Sequence, residues 1–215
     1  ELEAAGCDII RCAVPTMEAA KALGKIKESI NIPLVADIHF DYRLALEVIE
    51  NGIDKVRINP GNIGGEWRIR QVLQLAKEKG LPVRFGINGG SLEADIYEKY
   101  GGVTSDALVE SVMRSVKIAE EENFENLVIS LKSSDVREVY EAYKKLSKLT
   151  DFPLHIGVTE AGTAYRGIIK SAMALGGLLL EGIGDTMRIS LTADPIEEVK
   201  AAKEMLRSLG ILKEG

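Results

Sequence analysis

The feature that most constrains the fold of this chain is a regular alternation between short β-rich runs and longer amphipathic runs. The short runs hold six to eight residues, are rich in Val and Ile, and are bounded by turn residues, which is typical of buried strands. Strict alternation of this kind predicts parallel strands joined by right-handed crossovers. The predicted strands are Asp8–Val14, Pro33–Phe40, Lys55–Pro60, Pro82–Asn88, Asn126–Lys132, Pro153–Glu160 and Thr186–Thr192.

The longer runs carry recognisable helix starts and ends. Asp135, with an acidic residue three positions later, and Asp194, followed by a proline, are predicted N-caps. Gly52 and Gly80 stand where a helix needs a left-handed residue to end. One apolar stripe with helical spacing is predicted to face the sheet: Val109, Val112, Met113, Val116 and Ala119.

The strand spacing suits either a doubly wound sheet or a closed barrel. The barrel is favoured because no glycine fingerprint follows the first strand, and because polar residues recur at the carboxyl end of nearly every strand. We therefore predict an α/β fold, a TIM-type (β/α)8 barrel, as one domain over residues 1–215. Seven strands are one short of eight, and residues 1–6 resemble the last turn of a helix with its terminal glycine. We expect that a first strand is missing and that the barrel has an open side.

Composition argues against several classes of protein. With 27 basic and 33 acidic side chains the formal charge is −6, which disfavours nucleic acid or an anionic membrane as the main partner. The apolar runs are far shorter than the roughly 20 residues that span a bilayer. Two cysteines, Cys7 and Cys12, do not make a disulfide framework, and the acidic start is unlike a secretory signal. A cytoplasmic protein is expected.

Polar side chains recur in pairs near the carboxyl ends of the predicted strands. Residues two apart on a strand share a face, so each pair points in one direction, and the apolar or glycine residues between them point to the helices. This face is predicted to lie at the barrel mouth, where barrel enzymes keep their active sites. Its members are Arg11, Asp37 with His39, Arg57 with Asn59, Arg84 with Asn88, Ser130 with Lys132, and Arg188 with Ser190.

The predicted mouth is positively charged although the whole chain is negative. Five cations face only two evident carboxylates, Asp37 and Glu160. Charges inside a barrel are costly unless they are paired, so the excess predicts a bound phosphate or diphosphate held by arginine forks. The alternative is an internal ion-pair network that only organises the barrel.

Other motifs allow more than one interpretation. The glycine-rich turn at 61–65 could offer backbone N–H groups to phosphate or be a plain tight turn, and the same holds for Gly184 with Asp185. A zinc site from His39 and His155 lacks metal-ligand spacing, so no metal site is predicted. Lys132 could form a Schiff base, although a phosphate contact fits its position better.

Five phrases at the strand ends carry a family resemblance. They are VADIHFD at 35–41, VRINPGN at 56–62, SLKSS at 130–134, HIGVTEAG at 155–162 and GIGDTMRISL at 182–191. Together, and in this order, they resemble the 4-hydroxy-3-methylbut-2-enyl diphosphate synthases of the non-mevalonate isoprenoid pathway. The resemblance covers nearly the whole chain.

The resemblance implies an iron-sulfur oxidoreductase. Such enzymes reductively open 2-C-methyl-D-erythritol 2,4-cyclodiphosphate and expel water, with electrons from ferredoxin or flavodoxin, and they work as homodimers. It also implies that Asp37, His39 and Glu160 lie beside the carbon skeleton of the substrate, with Glu160 as the proton donor. The residues implied to hold the diphosphate are Arg11, Arg57, Arg84, Asn88, Lys132, Arg188 and Ser190.

The family's 4Fe-4S cluster is held by three cysteines and a glutamate of a C-terminal domain, and no such segment is present here. Cys7 and Cys12 fall outside that motif and are not expected to be ligands. We therefore expect this chain alone to bind the diphosphate, to hold no cluster and to be inactive. The alternatives are another phosphate-binding barrel enzyme, similar to a pterin synthase or to an aldolase using Lys132, or a non-catalytic barrel module.

Overall fold

The computed structural model describes residues 1–159 and 162–213 and contains seven parallel strands in chain order. The first five strands pair as one sheet and the last two as another, and a single bridge between Ile129 and Leu154 joins the two sheets. No backbone pairing joins the last strand to the first within these residues, so the barrel is not closed. The strands are β1 Ile10–Ala13, β2 Leu34–Ile38, β3 Lys55–Ile58, β4 Val83–Asn88, β5 Leu127–Lys132, β6 His155–Gly157 and β7 Thr186–Arg188.

Each strand is followed by a helix, and the β4–β5 connection carries two. The helices are α1 Met17–Glu28, α2 Tyr42–Glu50, α3 Glu66–Glu78, α4 Ala94–Tyr100, α5 Ser105–Glu121, α6 Val136–Leu146, α7 Ala164–Leu180 and α8 Pro195–Ser208. The predicted signals bound them: Asp135 accepts from the N–H groups of Arg137 and Glu138, and Asp194 accepts from Ile196. Gly52 and Gly80 adopt the predicted left-handed conformation, with φ of 78° and 68°.

The main core lies between the outer face of the sheet and the helices. The apolar residues that alternate with the polar strand-end residues are buried there, which confirms the predicted face assignment: Ile38, Ile58, Phe85, Ile87, Leu131 and Ile189. The predicted stripe of α5 packs against the same core, with Val112 and Ala119 fully buried. Because side chains alternate along a strand, the polar strand-end residues lie on the inner face of the sheet.

All seven predicted strands are confirmed. Two of them, β4 and β5, end at the predicted residues, and the other five end earlier. After β3 the chain turns at once, because the Asn59 carbonyl accepts from the N–H groups of both Asn62 and Ile63, at 3.0 Å each. The strands β6 and β7 are reduced to three residues each. The last predicted residues of these five strands therefore lie beyond the ladder, whereas Asn88 and Lys132 remain paired within it.

A buried tyrosine links β5 to β6 where the backbone ladder is weakest. The Tyr143 hydroxyl oxygen accepts from the N–H of Leu131 at 2.8 Å, and it lies 2.7 Å and 2.6 Å from the carbonyl oxygens of Leu131 and His155, to which its hydrogen can donate. Tyr143 is fully buried on α6, so burial raises the pKa of its hydroxyl above its usual range. One hydroxyl group thus ties a helix to both sheets.

Replacing Tyr143 with Phe should lower the free energy of unfolding by about 1–3 kcal/mol, because buried backbone groups lose their partner. Urea denaturation followed by circular dichroism measures the change. The same substitution at the exposed Tyr165 should have no measurable effect. Equal stability of the two variants would contradict the linking role.

Candidate active site

The strands bring the predicted polar residues together on the inner face of the barrel. Parallel pairing sets Arg57 beside Arg84, and Asn88 beside Lys132. On the second sheet Gly157 is paired with Arg188. The inward positions near the carboxyl ends of β3, β4, β5 and β7 therefore converge on one region.

Asp37 is the carboxylate at the centre of this region. It lies 3.0 Å from Arg11, 3.1 Å from Arg57 and 3.2 Å from His39, and its side chain is almost completely buried. Burial alone would raise the pKa of Asp37, but the charges of Arg57 and Arg11 outweigh burial and hold that pKa below its usual value. Asp37 is therefore ionised and orients two of the five cations.

Arg84 is a buried cation whose hydrogen-bonding capacity is not filled. Its Nε is buried and has no partner among residues 1–159 and 162–213. Burial, with repulsion from Arg11 and Arg57, lowers its pKa to about 10, so it remains charged near neutral pH. An orphaned donor on a buried guanidinium is costly, and an anion in the pocket would satisfy it.

Lys132 is the last residue of β5, beside Asn88, and is also buried. Within the described part of the chain no carboxylate oxygen comes within 4.0 Å of its ammonium group. Burial lowers the pKa of Lys132 well below its usual value, and repulsion from Arg11 and Arg188 adds to the shift.

Two inward glycines make room for these long side chains. A Cβ at Gly86 would lie 2.4 Å from Nε of Arg57, which crosses that position to donate to the Gly86 carbonyl at 3.1 Å. A Cβ at Gly157 would lie 3.2 Å from Cε of Lys132. The glycines of β4 and β6 are therefore part of the site. The sequence could have identified them, because strand alternation places both on the inward face.

The remaining predicted residues lie at the rim or outside the described residues. Arg188 is partly exposed and approaches Glu198 at 3.7 Å, while Asn88 and Ser190 are half-buried at their strand ends. The His39 side chain is about half exposed. Glu160 lies outside the described residues.

His155 is an interior residue that sequence reasoning did not include in the site. Its ring is buried beside β7, where Nδ1 lies 2.7 Å from the Thr186 hydroxyl oxygen. Burial lowers its pKa well below the usual value, and the charges of Arg84 and Lys132 lower it further. Lys55 faces inward at the start of β3 and is half-buried. Burial and the charge of Arg84 lower its pKa as well. Strand parity was the signal that could have identified both.

The glycine-rich motifs resolve as turns. The N–H of Gly61 donates to the Asn59 side chain, and the next two N–H groups donate to the Asn59 carbonyl, so these donors are already used. Asp185 binds the backbone of Leu154 at both its carboxylate and its N–H. The first three N–H groups of the motif at 61–65 are therefore not available to phosphate.

The cysteines and histidines do not assemble into a metal centre in the described ranges. No group of three His, Cys, Asp or Glu side chains there could hold a metal ion. The Cys7 thiol donates to the Ile9 carbonyl at 3.1 Å, and Cys12 packs against the core. No helix of the described residues is long and apolar enough to cross a membrane.

Comparison with solved structures supports the barrel. The type I 3-dehydroquinate dehydratase of Clostridium difficile superimposes with a TM-score of 0.66 at 14% identity, covering 99% of this chain and 85% of that one. The dihydropteroate synthase of Yersinia pestis gives 0.60 at 15% identity, covering 97% of this chain and 85% of that one. At such identities the likeness concerns the fold alone.

Sequence comparison is more specific. A 4-hydroxy-3-methylbut-2-en-1-yl diphosphate synthase (flavodoxin) of Clostridium tetani is 61% identical over the whole chain, and one of Caldanaerobacter subterraneus is 58% identical over 214 residues. The chain spans 62% and 60% of the lengths of these two relatives. The family model for the GcpE TIM-barrel domain matches residues 1–203. This chain therefore belongs to the GcpE TIM-barrel domain family.

Proposed function

We propose that this chain is the barrel domain of a 4-hydroxy-3-methylbut-2-en-1-yl diphosphate synthase and that its cation cluster holds the diphosphate of 2-C-methyl-D-erythritol 2,4-cyclodiphosphate. The supporting observation is the buried positive excess: Arg84 and Lys132 have no carboxylate partner among the described residues, whereas Asp37 already serves Arg11 and Arg57. A diphosphate would supply the missing negative charge and acceptor oxygens. Relatives 56–61% identical carry this enzyme's name.

The buried cations would bind the diphosphate from below, and the rim residues would close around it. Arg57 and Arg84 present guanidinium groups that suit paired phosphate oxygens, and Lys132 adds a point charge. At the rim, Asn88 and Ser190 offer uncharged donors beside Arg188. We assign the diphosphate to Arg11, Arg57, Arg84, Asn88, Lys132, Arg188 and Ser190.

The polar residues on the other side of the cluster would face the carbon skeleton. Asp37 is ionised and fully engaged, so its role is to hold Arg11 and Arg57 in place beside the substrate. His39 contacts Asp37 and reaches the open mouth, where it could touch the substrate's hydroxyl groups. Loss of water requires an acid at the departing oxygen, and we assign that proton to Glu160.

The reduction itself depends on groups that this chain's described residues do not supply. Members of the family are expected to carry a 4Fe-4S cluster, but Cys7 and Cys12 do not fit one, because the Cys7 thiol donates a hydrogen bond to the Ile9 carbonyl and Cys12 packs against the core. We propose that the cluster belongs to a further domain, that the protein works as a homodimer, and that flavodoxin is the electron donor, as the relatives' names indicate.

A Schiff-base function for Lys132 is less well supported. A lysine with a lowered pKa can act as a nucleophile, and Lys132 meets that condition. However, its ammonium group is surrounded by arginines, an environment that attracts anions rather than a neutral carbonyl. Borohydride trapping of a carbonyl substrate would detect the imine if it formed.

In an anaerobic assay with reduced flavodoxin, the full-length protein should convert the cyclodiphosphate to product. Glu160→Gln should lower kcat by about 10²- to 10⁴-fold, because the departing oxygen loses its acid. Glu78→Gln, at the exposed end of α3, is the matched control and should keep wild-type turnover. Wild-type kcat in Glu160→Gln would remove Glu160 from the mechanism.

Arg84→Ala should weaken binding of inorganic diphosphate by about 10- to 100-fold, the value of a charge-assisted bond. Isothermal titration calorimetry on the full-length protein measures the Kd. Arg137→Ala makes the same charge change on the exposed side of α6 and should leave the Kd unchanged. Equal losses in both variants would indicate a general charge effect and no pocket.

Gly86→Ala should also weaken diphosphate binding, by about tenfold or more, since the new methyl group displaces Arg57 from Asp37 and from the pocket. The control is Gly24→Ala on α1, where an added Cβ meets no atom within 4 Å. The same titration compares the two. Unchanged affinity in Gly86→Ala would show that diphosphate binding does not depend on the position of the Arg57 side chain over Gly86.

A further inference from the structure

We propose that Lys132 and His155 form a titratable floor of the anion pocket and that binding of a divalent anion there takes up protons from solution. The inference rests on the proposed function only in that the pocket binds an anion. It adds His155 to the site, and it predicts that anion binding changes the protonation of Lys132 and His155.

The two side chains are neighbours in the barrel interior. The bridge between Ile129 and Leu154 aligns β5 with β6, so that the inward residues of the two strands lie side by side. Lys132 extends over Gly157, two positions beyond His155 on the same face of β6. Both side chains are buried, so neither can relieve its charge by turning to solvent.

The groups that face this pair come from every surrounding strand. Cations predominate, the acid Asp37 is shared between Arg11 and Arg57, and Glu160 lies outside the described residues. On the helix side, the Tyr143 hydroxyl binds the His155 carbonyl. The charged residues around Lys132 and His155 are Arg11 on β1, Asp37 on β2, Lys55 and Arg57 on β3, Arg84 on β4, and Arg188 on β7.

Among the buried positions that the structure describes, Lys132 and His155 are the two at which loss of a proton can relieve this repulsion. An arginine keeps its proton at physiological pH, whereas a lysine or histidine can release one. Burial and the neighbouring positive charges lower the pKa of Lys132 and that of His155 well below their usual values. Without an anion, the floor of the pocket therefore lowers its charge by losing protons.

A bound anion reverses this effect. Two negative charges beside Lys132 and His155 favour their protonated forms, so their pKa values rise on binding. Protons are taken up between the low pKa of the free state and the higher pKa of the bound state. Affinity is then greatest at low pH and falls as the pH rises through the free-state values toward the bound-state ones.

Sulfate is the appropriate probe, because it keeps its two charges throughout the useful pH range and any proton change belongs to the protein. The full-length protein is titrated with sulfate by calorimetry at about pH 8, in two buffers whose ionisation enthalpies differ. The dependence of the heat on the buffer gives the protons taken up per sulfate bound. We expect net proton uptake, and a Kd that rises with pH.

Two variants assign the protons. Lys132→Arg keeps a charge that cannot titrate, so proton uptake at about pH 8 should disappear, whatever the affinity becomes. His155→Gln keeps a hydrogen-bonding group for Thr186 and should lower the uptake at about pH 6, where the histidine contributes, while leaving the value at about pH 8 unchanged.

The outcomes separate this inference from the proposed function. Sulfate binding with no proton uptake between about pH 6 and 9 would overturn the titratable floor and leave the anion pocket standing. Uptake that persists at about pH 8 in Lys132→Arg would assign the proton elsewhere and also overturn it. Absence of sulfate binding in the wild-type protein would contradict both.

Discussion

Repulsion between cations confined inside a barrel is the constraint on which the rest of this structure depends. Burial and the charges of Arg84 and Arg57 lower the pKa of Lys132, and burial and Arg57 lower that of Arg84, yet Asp37 is the carboxylate that the described residues provide at the centre. Such an arrangement costs stability unless an anion completes it. On the proposed function, a bound ligand with two or more negative charges would offset this cost.

Several parts of the fold are explained by the need to hold these charges in place. Gly86 and Gly157 leave space that a side chain would fill, so that Arg57 and Lys132 can cross to the centre of the barrel. Asp37 fixes the direction of two arginines. Tyr143 connects the two sheets on which the cations lie, through a hydroxyl buried between them. A contact on the helix side of the sheets therefore helps to hold the charged residues of the inner face in position.

Sequence periodicity predicted the strands, their faces and the helix caps, because these follow from local rules. The inward parity of Arg57 and Arg84 and the capping by Asp135 and Asp194 needed no knowledge of long-range contacts. What the sequence could not supply was the reach of long side chains across strands. The sharing of Asp37 by Arg11 and Arg57 depends on such distances. His155 was left out of the predicted site although strand parity places it inward, because its contact with Thr186 on β7 also depends on such distances.

The central claim is that these cations surround one anion at the carboxyl ends of the strands. A crystal structure of the full-length protein with inorganic diphosphate tests it directly. Phosphate oxygens should lie within hydrogen-bond distance of Arg84 and Lys132, with Arg57 still on Asp37. Diphosphate bound elsewhere, or a carboxylate paired with each of these cations and no anion between them, would contradict it.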